Sequence, residues 1–419
     1  MQTVIGIIGL GYVGLPLAVT FSEKYKVFGL DSNYDRIEKL KEFEDKTNEI
    51  NSIELKKSFK NGLEISSNIS NLVSCNVFII TVPTPIKKDK KPDLSLIIKA
   101  TENLTSVIDK GNIIVYESTV YPGVTEEVCV PIIEEKTKLI FNKDFFIGYS
   151  PERINPGDKK RTISMIKKVV AGSNKSTLKV LSSLYNSIIK AGVYEAPSIK
   201  VAEAAKVIEN TQRDINIAFI NELAIIFSKL GIDTHEVLKA AGTKWNFLKF
   251  YPGLVGGHCI GIDPYYLAFK AKELGYSPKM ILAGRETNDY MPIFIINEIV
   301  KILSKKNVDF KNVKSLILGA TFKENCPDIR NSKVLNIYEE LIDFGVSIDV
   351  FDPLADKIDF KKTFGISLKE SLNDERYDFI ILAVSHDQFL DINPKEFLKK
   401  NGFVYDIKGF YNDASFIRL

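Results

Sequence analysis

Short runs of apolar and β-branched residues alternate, along the first half of the chain, with segments in which apolar residues recur every three or four positions. Such runs predict strands buried on both faces of a sheet, and the intervening segments predict helices. Five predicted strands share this pattern: Val4 to Ile8, Val27 to Leu30, Val77 to Val82, Ile113 to Tyr116 and Phe145 to Gly148. The alternation predicts an α/β domain with a parallel sheet, which we place over residues 1–197.

The pattern changes after Pro197. From Val201 to Leu230 the apolar residues keep a helical period with no Gly or Pro among them, which predicts one helix of about 30 residues and roughly 45 Å. Further helical segments are predicted at Asp233 to Ala241, Tyr265 to Leu274 and Lys279 to Ser304. The sequence therefore predicts a central helical connector over residues 198–305.

The alternation of strands and helices returns after Val313. It predicts four strands and a helix, at Ser315 to Leu318, Ser347 to Phe351, Phe379 to Val384, Phe403 to Tyr405 and, for the helix, near Val334 to Phe344. We place a second α/β domain over residues 306–419. The expected fold class is therefore α/β, with two α/β domains joined by a connector that contains a long helix.

Composition narrows the functions that such a fold can serve. The 419 residues are 45% hydrophobic and 26% charged, with a net charge of +3 and no basic tail, so nucleic-acid binding is not expected. The apolar runs are shorter than the roughly 18 residues of a membrane span, and no signal-peptide pattern opens the chain, so we expect a cytoplasmic protein. Four cysteines and three histidines are widely scattered, so neither disulfides nor a metal site is predicted.

A glycine-rich turn directly follows the first predicted strand. Its sequence is Gly9-Leu10-Gly11-Tyr12-Val13-Gly14, and it opens a helical segment. In a dinucleotide-binding fingerprint the first glycine allows a tight turn, the second lets backbone approach a pyrophosphate, and the third lets helix and strand pack closely. The pattern predicts a Rossmann domain that binds a dinucleotide.

Asp31 strengthens this prediction because it ends the second predicted strand, about 20 residues after Gly11. A carboxylate at this place accepts hydrogen bonds from the adenosine ribose and repels a 2′-phosphate, which favours NAD over NADP. Arg36 is placed to reach the adenine side of the cofactor, so NADP remains open as the alternative. A glycine turn that holds no ligand is the other interpretation.

A cysteine lies in a second glycine-rich loop, in the central part of the chain. The loop reads Gly253-Leu254-Val255-Gly256-Gly257-His258-Cys259-Ile260-Gly261-Ile262-Asp263-Pro264. A cysteine that only fills a core does not need such backbone freedom, and a carboxylate follows the thiol after four residues. The loop therefore marks Cys259 as a candidate for chemistry.

Over essentially its whole length the chain resembles the nucleotide-sugar 6-dehydrogenases, the family of UDP-glucose and UDP-N-acetylhexosamine dehydrogenases. The resemblance depends on eight motifs: Gly9 to Gly14, Val82-Pro83-Thr84-Pro85, Glu117-Ser118-Thr119-Val120, Ser150-Pro151-Glu152, Lys206 with Asn210, Gly256 to Asp263, Phe322-Lys323, and Asp328 with Arg330. It implies an N-terminal Rossmann NAD-binding domain, a C-terminal Rossmann-like UDP-binding domain, and a homodimer or larger homo-oligomer. It also implies oxidation of the sugar C6 alcohol to a carboxylate with two NAD per turnover, for polysaccharide or glycan biosynthesis.

The same resemblance implies roles for particular residues. Cys259 is the nucleophile that holds the aldehyde as a thiohemiacetal and then as a thioester. Lys206 and Asn210 stabilise the developing oxyanion, and their i, i+4 spacing places them on one helix face. Asp263 assists proton transfer, Glu152 acts as the base, and Thr119 holds a water. Thr84, Thr119 and Arg330 contact the cofactor.

The sugar is the least determined feature. The implied substrate-binding residues are Glu152, Lys206, Asn210, Phe250, Tyr251, Gly256, Phe322 and Lys323. The segments Trp245-Asn246-Phe247 and His258-Cys259 look most like the UDP-N-acetylglucosamine or N-acetylgalactosamine branch, whereas the lysine and Ser-Cys pair of UDP-glucose enzymes are missing. UDP-glucose is the alternative substrate. The turn Gly319 to Phe322 lacks the dinucleotide fingerprint, so a second dinucleotide is not expected there.

Two functions of other classes also fit part of the sequence. A two-electron NAD-dependent hydroxyacid dehydrogenase shares the Rossmann start and needs no cysteine. A non-catalytic sensor of sugar nucleotides keeps the fold and makes no acid. Taken singly, Lys206 with Asn210 also fits an exposed polar face, Glu152 a helix cap, and Asp263 a turn.

Overall fold

The computed structural model describes residues 2–154, 162–258, 260–372 and 375–419. The chain divides into two compact units. Unit 1 comprises Met1–Glu209 and Tyr265–Tyr276, and unit 2 comprises Asn210–Pro264 and Ser277–Leu419. The predicted three-part division at residues 197 and 305 stays a prediction. Within the described ranges no helix is both long enough and apolar enough to span a membrane.

The strands of unit 1 form one mostly parallel sheet. Their bounds are Val4–Ile8 (β1), Lys26–Leu30 (β2), Leu63–Ser66 (β3), Val77–Ile80 (β4), Ile113–Tyr116 (β5), Phe146–Tyr149 (β6), Lys168–Gly172 (β7) and Val193–Glu195 (β8). The described strands lie in the order β3-β2-β1-β4-β5-β6-β7-β8, and only β6 and β7 are antiparallel. The first six strands have the order of dinucleotide-binding folds, which confirms the predicted Rossmann domain.

Helices of unit 1 cover this sheet. They are Gly14–Ser22 (α1), Tyr34–Lys41 (α2), Ser52–Lys60 (α3), Ser95–Leu104 (α4), Val130–Thr137 (α5) and Lys175–Asn186 (α6). Local sequence sets several of their starts: Asn33 caps α2, and Asn51 and Glu54 form a capping box on α3. Apolar residues of the strands and helices, among them Ile7 and Phe21, share one buried core.

Four helices follow unit 1's sheet in the chain. They are Ile199–Leu230 (α7), Thr234–Ala241 (α8), Asp263–Glu273 (α9) and Lys279–Lys305 (α10). The predicted long helix is thus confirmed within two residues at its start. Met291 and Ile295 of α10 share a buried core with Ile317 and Ile337 of unit 2. In the described chain the connector helix α10 therefore packs as part of the C-terminal unit.

The strands of unit 2 form a second parallel sheet. They are Lys314–Leu318 (β9), Ser347–Phe351 (β10), Tyr377–Leu382 (β11), Leu398–Asp406 (β12) and Ile417–Arg418 (β13), with helices Val334–Asp343 (α11) and Lys357–Phe364 (α12). The order of the described strands is β10-β9-β11-β12-β13, and every neighbouring pair is parallel. The expected α/β class is confirmed.

Three strands of unit 1, β3, β7 and β8, escaped the sequence prediction. Strands β3 and β8 are short edge strands, which carry a weak apolar signal. Strand β7 begins with Lys168, which is only 2% exposed. A lysine at a buried position interrupts the apolar pattern, because charged residues are almost never fully buried unless they are paired. This lysine proves to lie beside a predicted site residue.

Candidate active site

The glycine-rich turn after β1 contains three glycines. The fold requires glycine at two of these positions but not at the third. Gly9 has a φ of +98°, and a Cβ atom on Gly14 would lie 1.8 Å from the Gly9 carbonyl oxygen. Both positions therefore require glycine. A Cβ atom on Gly11 would meet nothing within 4 Å, so the protein's own packing does not explain this glycine. Tyr12 and Val13 complete the turn, and α1 starts at Gly14.

Asp31 and Arg36 both hold the backbone of this turn. Oδ2 of Asp31 accepts a hydrogen bond of 2.8 Å from the Leu10 N–H, and Oδ1 accepts one from the Asn33 N–H. Arg36 donates from Nε and Nη2 to the Leu10 carbonyl oxygen at 3.0 and 2.9 Å, and its Nη1 lies 2.7 Å from Asp45. Arg36 thus supports the turn from the protein side, and its contact with adenine stays a prediction.

Thr84 and Thr119 lie together beyond the carboxyl ends of β4 and β5. The Thr84 hydroxyl donates to the Thr119 carbonyl oxygen at 2.5 Å. The Tyr266 hydroxyl donates to the carbonyl oxygens of Thr84 and Pro85 at 2.9 and 3.0 Å. The carboxyl edge of a doubly wound sheet is where such folds bind ligands, so the predicted cofactor contacts lie on the expected edge.

Glu203, on the first turns of α7, fixes the segment that follows Thr119. Its buried carboxylate accepts hydrogen bonds from the backbone N–H groups of Gly123 and Thr125 at 2.6 and 3.0 Å. Burial raises the pKa of this carboxyl to about 7, although the two N–H donors act to lower it. Sequence reasoning missed Glu203, whose only signal is a glutamate within an apolar helix face.

Glu152 follows β6 and is buried. Its Oε1 accepts hydrogen bonds from the N–H groups of Arg153 and Ile154, both at 2.6 Å, and its Oε2 lies 3.0 Å from Nζ of Lys168. The predicted base is therefore fixed at both carboxylate oxygens. Sequence reasoning did not identify its partner Lys168.

Lys206 and Asn210 lie one turn apart on α7, and both are buried, with 8% and 7% of their surface exposed. The alternative interpretation of an ordinary exposed polar face is therefore wrong. Nδ2 of Asn210 donates to Oδ2 of Asp263 at 2.6 Å. Asp263 is the first residue of α9, where the helix dipole favours a carboxylate. The structure thus brings two of the predicted catalytic residues, Asn210 and Asp263, into contact.

Cys259 itself lies outside the described residues, but the loop on its N-terminal side is described. Gly257 has a φ of +82°; its N–H donates to the Asn331 carbonyl oxygen at 3.1 Å, and the Asn331 side chain donates back to the Gly257 carbonyl oxygen at 2.8 Å. A Cβ atom on Gly256 would lie 2.5 Å from the Asn331 carbonyl oxygen, and one on Gly257 would lie 2.5 Å from the Phe322 ring. Both glycines permit the loop to pack closely against the segment that contains Phe322.

Asp328 links this loop to the predicted arginine. Its carboxylate lies 3.2 Å from Nε2 of His258, and Arg330 donates to it from Nε at 3.0 Å and from Nη2 at 2.7 Å. Burial alone would raise the pKa of Asp328, but the hydrogen bonds from His258 and Arg330 hold it well below its usual range. Arg330 is half exposed, and its predicted reach toward NAD phosphates is not tested by these contacts.

A buried polar network anchors the start of the same loop. Asn221 on α7 forms two hydrogen bonds with the backbone of Gly253, at 2.8 and 3.0 Å. Its amide also donates to Asn288 on α10, and Asn288 donates to Asp214 at 2.7 Å. Arg285 donates to the same Asp214 oxygen at 2.5 Å. The network connects α7, α10 and the cysteine loop through groups that are almost entirely buried.

The other predicted substrate residues lie in unit 2. Tyr251 is exposed, and its ring stacks on His235 with centroids 6.2 Å apart. Phe250 precedes it and is half-buried. The carbonyl oxygen of Lys323 accepts a hydrogen bond from Thr321. The substrate roles of Phe250, Tyr251 and Lys323 stay predictions.

Asp352, at the end of β10, has the place in the second sheet that Asp31 has in the first. Unlike Asp31 it is 1% exposed, and it accepts hydrogen bonds from the backbone N–H groups of Ala320 and Thr321, while His386 lies 3.0 Å away. Two further N–H donors are those of Leu354 and Ala355. The protein itself thus saturates this carboxylate, so it is not available to a ribose.

Sequence reasoning missed the buried charged and polar residues that support the site. They are Lys168, Glu203, Asp214, Arg285, Asp352 and His386. A polar residue within an apolar run was the available signal for Lys168 and Asp214, and no local signal marks His386. Within the described ranges no three His, Cys, Asp or Glu side chains gather as they would around a metal ion.

Comparison with known proteins agrees with this geometry. The NAD binding, central and UDP binding domains of the UDP-glucose/GDP-mannose dehydrogenase family match residues 3–189, 200–290 and 316–413. The UDP-N-acetyl-D-glucosamine 6-dehydrogenase of Pseudomonas aeruginosa is 52% identical over 419 residues and 99% of each chain. Protein CapL of Staphylococcus aureus is 52% identical over 98% of this chain and 97% of its own.

Among solved structures, the UDP-D-ManNAc dehydrogenase of Pyrococcus horikoshii is similar with a TM-score of 0.90. It is 29% identical, and the match covers 99% of this chain and 98% of that one. The resemblance inferred from the sequence motifs is confirmed. The chain therefore belongs to the UDP-glucose/GDP-mannose dehydrogenase family of NAD-dependent enzymes.

Proposed function

We propose that this enzyme oxidises the C6 alcohol of a UDP-N-acetylhexosamine to the carboxylate and uses two NAD per turnover. The observation that carries the proposal is the buried hydrogen bond of 2.6 Å between Asn210 and Asp263. Asp263 lies four residues after Cys259 in the chain. Burying a polar pair has a desolvation cost, and such pairs concentrate where a reacting group needs fixed partners. The fixed Asn210–Asp263 pair supports a chemical role for these two residues.

The NAD that the proposal requires fits the turn after β1. The open space beside Gly11 leaves room for a pyrophosphate, and the half-buried Asp31 is placed for a ribose. Thr84, Thr119 and Arg330 are the further proposed contacts. When bound, NAD accepts the hydride that leaves C6.

The chain's own residues supply the remaining steps. Glu152 takes the proton of the C6 hydroxyl as the first hydride leaves, which gives the aldehyde. Cys259 adds to this aldehyde as a thiolate and gives a thiohemiacetal, which loses a second hydride to become a thioester. Lys206 and Asn210 stabilise the negative charge that develops on the C6 oxygen, and Asp263 holds Asn210 in place for this. Water held at Thr119 then hydrolyses the thioester, with Glu152 as the base, and the thiolate leaves.

Replacing Asp31 with Ser tests the cofactor assignment. The change removes the charge that faces the ribose and leaves a hydroxyl, one bond shorter than the carboxylate, on the side of the Leu10 N–H. The loss of a hydrogen bond to a charged group costs about 1.5 to 3 kcal/mol, so KM for NAD should rise roughly tenfold to a hundredfold. The ratio of kcat/KM for NAD to kcat/KM for NADP should decrease. Steady-state kinetics with both cofactors measure this.

Asp35→Ser is the matched control for this variant. Asp35 is exposed in the first turn of α2, so its replacement should leave KM for NAD unchanged. A wild-type enzyme that already uses NADP as well as NAD would show that the role given to Asp31 is wrong.

The substrate assignment predicts a preference for a 2-acetamido sugar. The relatives that are 52% and 51% identical are named UDP-N-acetyl-D-glucosamine 6-dehydrogenases, in Pseudomonas aeruginosa and Salmonella typhi. Burying an acetamido methyl contributes on the order of 1 kcal/mol, and unpaired amide partners cost roughly 1 to 3 kcal/mol with UDP-glucose. We therefore expect kcat/KM to favour the acetamido sugar by about tenfold to several hundredfold.

Initial rates of NADH formation with UDP-N-acetylglucosamine, UDP-N-acetylgalactosamine and UDP-glucose measure this preference. Two NADH per sugar distinguish the proposed reaction from that of a two-electron hydroxyacid dehydrogenase, and any turnover excludes a sensor. Equal or better efficiency with UDP-glucose would reject the acetamido assignment and leave the four-electron reaction intact.

We also propose a homodimer that works in the cytoplasm and supplies a uronic acid for polysaccharide biosynthesis. Five large apolar residues of α7 are exposed in the single chain, namely Val201, Ile208, Phe219, Ile226 and Leu230. Exposed apolar side chains along one long helix are what a subunit interface covers. Sedimentation of the purified protein tests the dimer.

A further inference from the structure

A buried ammonium lies between two carboxylates in unit 1. Nζ of Lys168 is 2.7 Å from Oε2 of Glu117 and 3.0 Å from Oε2 of Glu152. The second oxygen of Glu117 accepts a hydrogen bond from the Tyr185 hydroxyl at 2.5 Å. Lys168 is 2% exposed and Glu117 is also 2% exposed. Of the three charged groups, only Glu152 has been given a part in the reaction.

The fold brings these groups together from separate elements. Lys168 opens β7, Glu117 follows β5, Glu152 follows β6, and Tyr185 lies on α6. Strand β7 is the one that runs antiparallel to β6, so its first residue lies toward the carboxyl ends of β5 and β6. Because β7 runs antiparallel to β6, its first residue Lys168 lies near Glu117 and Glu152, which follow the last residues of β5 and β6.

The charges explain why the lysine is needed. Burial acts to lower the pKa of Lys168, but the two carboxylates raise it above its usual value, so the ammonium stays charged. Burial raises the pKa of Glu117 even with Lys168 beside it. Without the ammonium, the buried carboxylates of Glu117 and Glu152 would lie close together with no positive charge between them. Two like charges at such a short distance do not both stay ionised.

The neighbouring arginine does not take the place of Lys168 beside Glu152. Arg153, the next residue, directs its guanidinium to Glu209 of α7, at 2.8 Å. The same side chain donates to the backbone of Lys167. Within the described ranges, the other hydrogen bonds to the Glu152 carboxylate come from the backbone N–H groups of Arg153 and Ile154, which are neutral donors. Among the described residues, Lys168 is thus the cation within ion-pair distance of Glu152.

We propose that Lys168 is a positioning residue for the reaction: it places a positive charge beside Glu152 and fixes the direction of its carboxylate, with Glu117 and Tyr185 holding the lysine in turn. The inference rests on the proposed role of Glu152 as base. Two backbone N–H groups fix one oxygen of Glu152 and Lys168 fixes the other, so the carboxylate is oriented and paired with a positive charge before substrate binds.

The test is the pH dependence of kcat for Lys168→Met. The rate of NADH formation with UDP-N-acetylglucosamine measures kcat at each pH. Loss of an opposite charge within about 4 to 6 Å shifts a carboxyl titration by about 1 to 3 pH units. A base must be unprotonated, so the acid limb of the profile should move to higher pH by that amount. Lys168→Arg should restore the wild-type limb, because it returns the charge.

Two further variants make the test specific. Lys167→Met removes a charge from the neighbouring exposed lysine and should leave the limb in place. Glu117→Gln leaves Lys168 with Glu152 as its one charged partner in the cluster, so the acid limb should move to lower pH. If Lys168→Met does not fold, the shift of the acid limb to lower pH in Glu117→Gln still tests the inference.

The failures of the two proposals are distinguishable. Glu152→Gln with undiminished acid formation would reject the proposed base itself. Loss of activity in Glu152→Gln together with an unmoved acid limb in both Lys168→Met and Glu117→Gln would overturn the role of Lys168 alone. An unmoved limb in Glu117→Gln, where Lys168→Met does not fold, would overturn it as well.

Discussion

Replacing Cys259 with Ser is expected to abolish net formation of the sugar acid. An alkoxide at neutral pH is far scarcer than a thiolate, so the aldehyde is no longer held for the second oxidation. We expect NADH formation beyond the first oxidation to fall by at least about a thousandfold, on the scale of losses seen when a catalytic nucleophile is removed. In Glu152→Gln, where hydrolysis is slowed, mass spectrometry should show a covalent sugar adduct on Cys259.

Two of the other three cysteines supply the control. Burial raises the pKa of the Cys75 thiol to about 12 and that of Cys129 to about 11, so neither forms a thiolate at neutral pH. Cys75→Ser is therefore expected to keep two NADH per sugar. Wild-type turnover in Cys259→Ala would reject the thioester route.

Replacing Arg285 with Met is expected to lower the free energy of unfolding by about 3 to 5 kcal/mol. The change leaves the Asp214 carboxylate buried without its cation, and Asp214 is 0% exposed. Burial already raises the pKa of Asp214 above its usual value, although Arg285 acts to lower it. Urea unfolding at neutral pH measures the loss, as a shift of the midpoint at unchanged slope.

The pH dependence and a neighbouring variant identify the cause. A carboxyl whose pKa is raised by folding binds its proton more tightly in the folded state, so the deficit of Arg285→Met should shrink as the pH falls. Arg213→Met removes an exposed arginine next to Asp214 in the chain and should change stability by less than about 0.5 kcal/mol. Adding Asp214→Asn to Arg285→Met should restore stability in part, and no restoration would contradict the account.

Much of the architecture is readable in the sequence because parallel strands and long helices give strong periodic signals. The apolar run at Val4–Ile8 and the uninterrupted period of α7 are of this kind. The glycine turn is readable because only glycine fits at Gly9 and Gly14. Lys168 and Arg285 were not readable: their burial depends on partners 51 and 71 residues away in the chain, and no local pattern encodes such pairing.

For the site residues too, the sequence predicted the positions better than the contacts of the side chains. Asn210 and Asp263 were expected from the family resemblance, and the structure shows that they touch. The sequence did not predict the hydrogen bonds of Arg36 to the Leu10 carbonyl oxygen, and its contact with the cofactor stays a prediction. A residue type and a position identify a region, whereas the direction of a long side chain is decided by the acceptors that tertiary packing places around it.

The contrast between Asp31 and Asp352 bears on how this enzyme can be re-engineered. The two carboxylates end corresponding strands of two sheets, but one is half-buried with capacity left for a ligand and the other is filled by four backbone N–H groups and His386. Substituting Asp31 is consequently a binding experiment, and substituting Asp352 is a folding experiment. A library aimed at new cofactors belongs at the first position, and one aimed at new nucleotide sugars has to leave the second untouched and vary the loops around it.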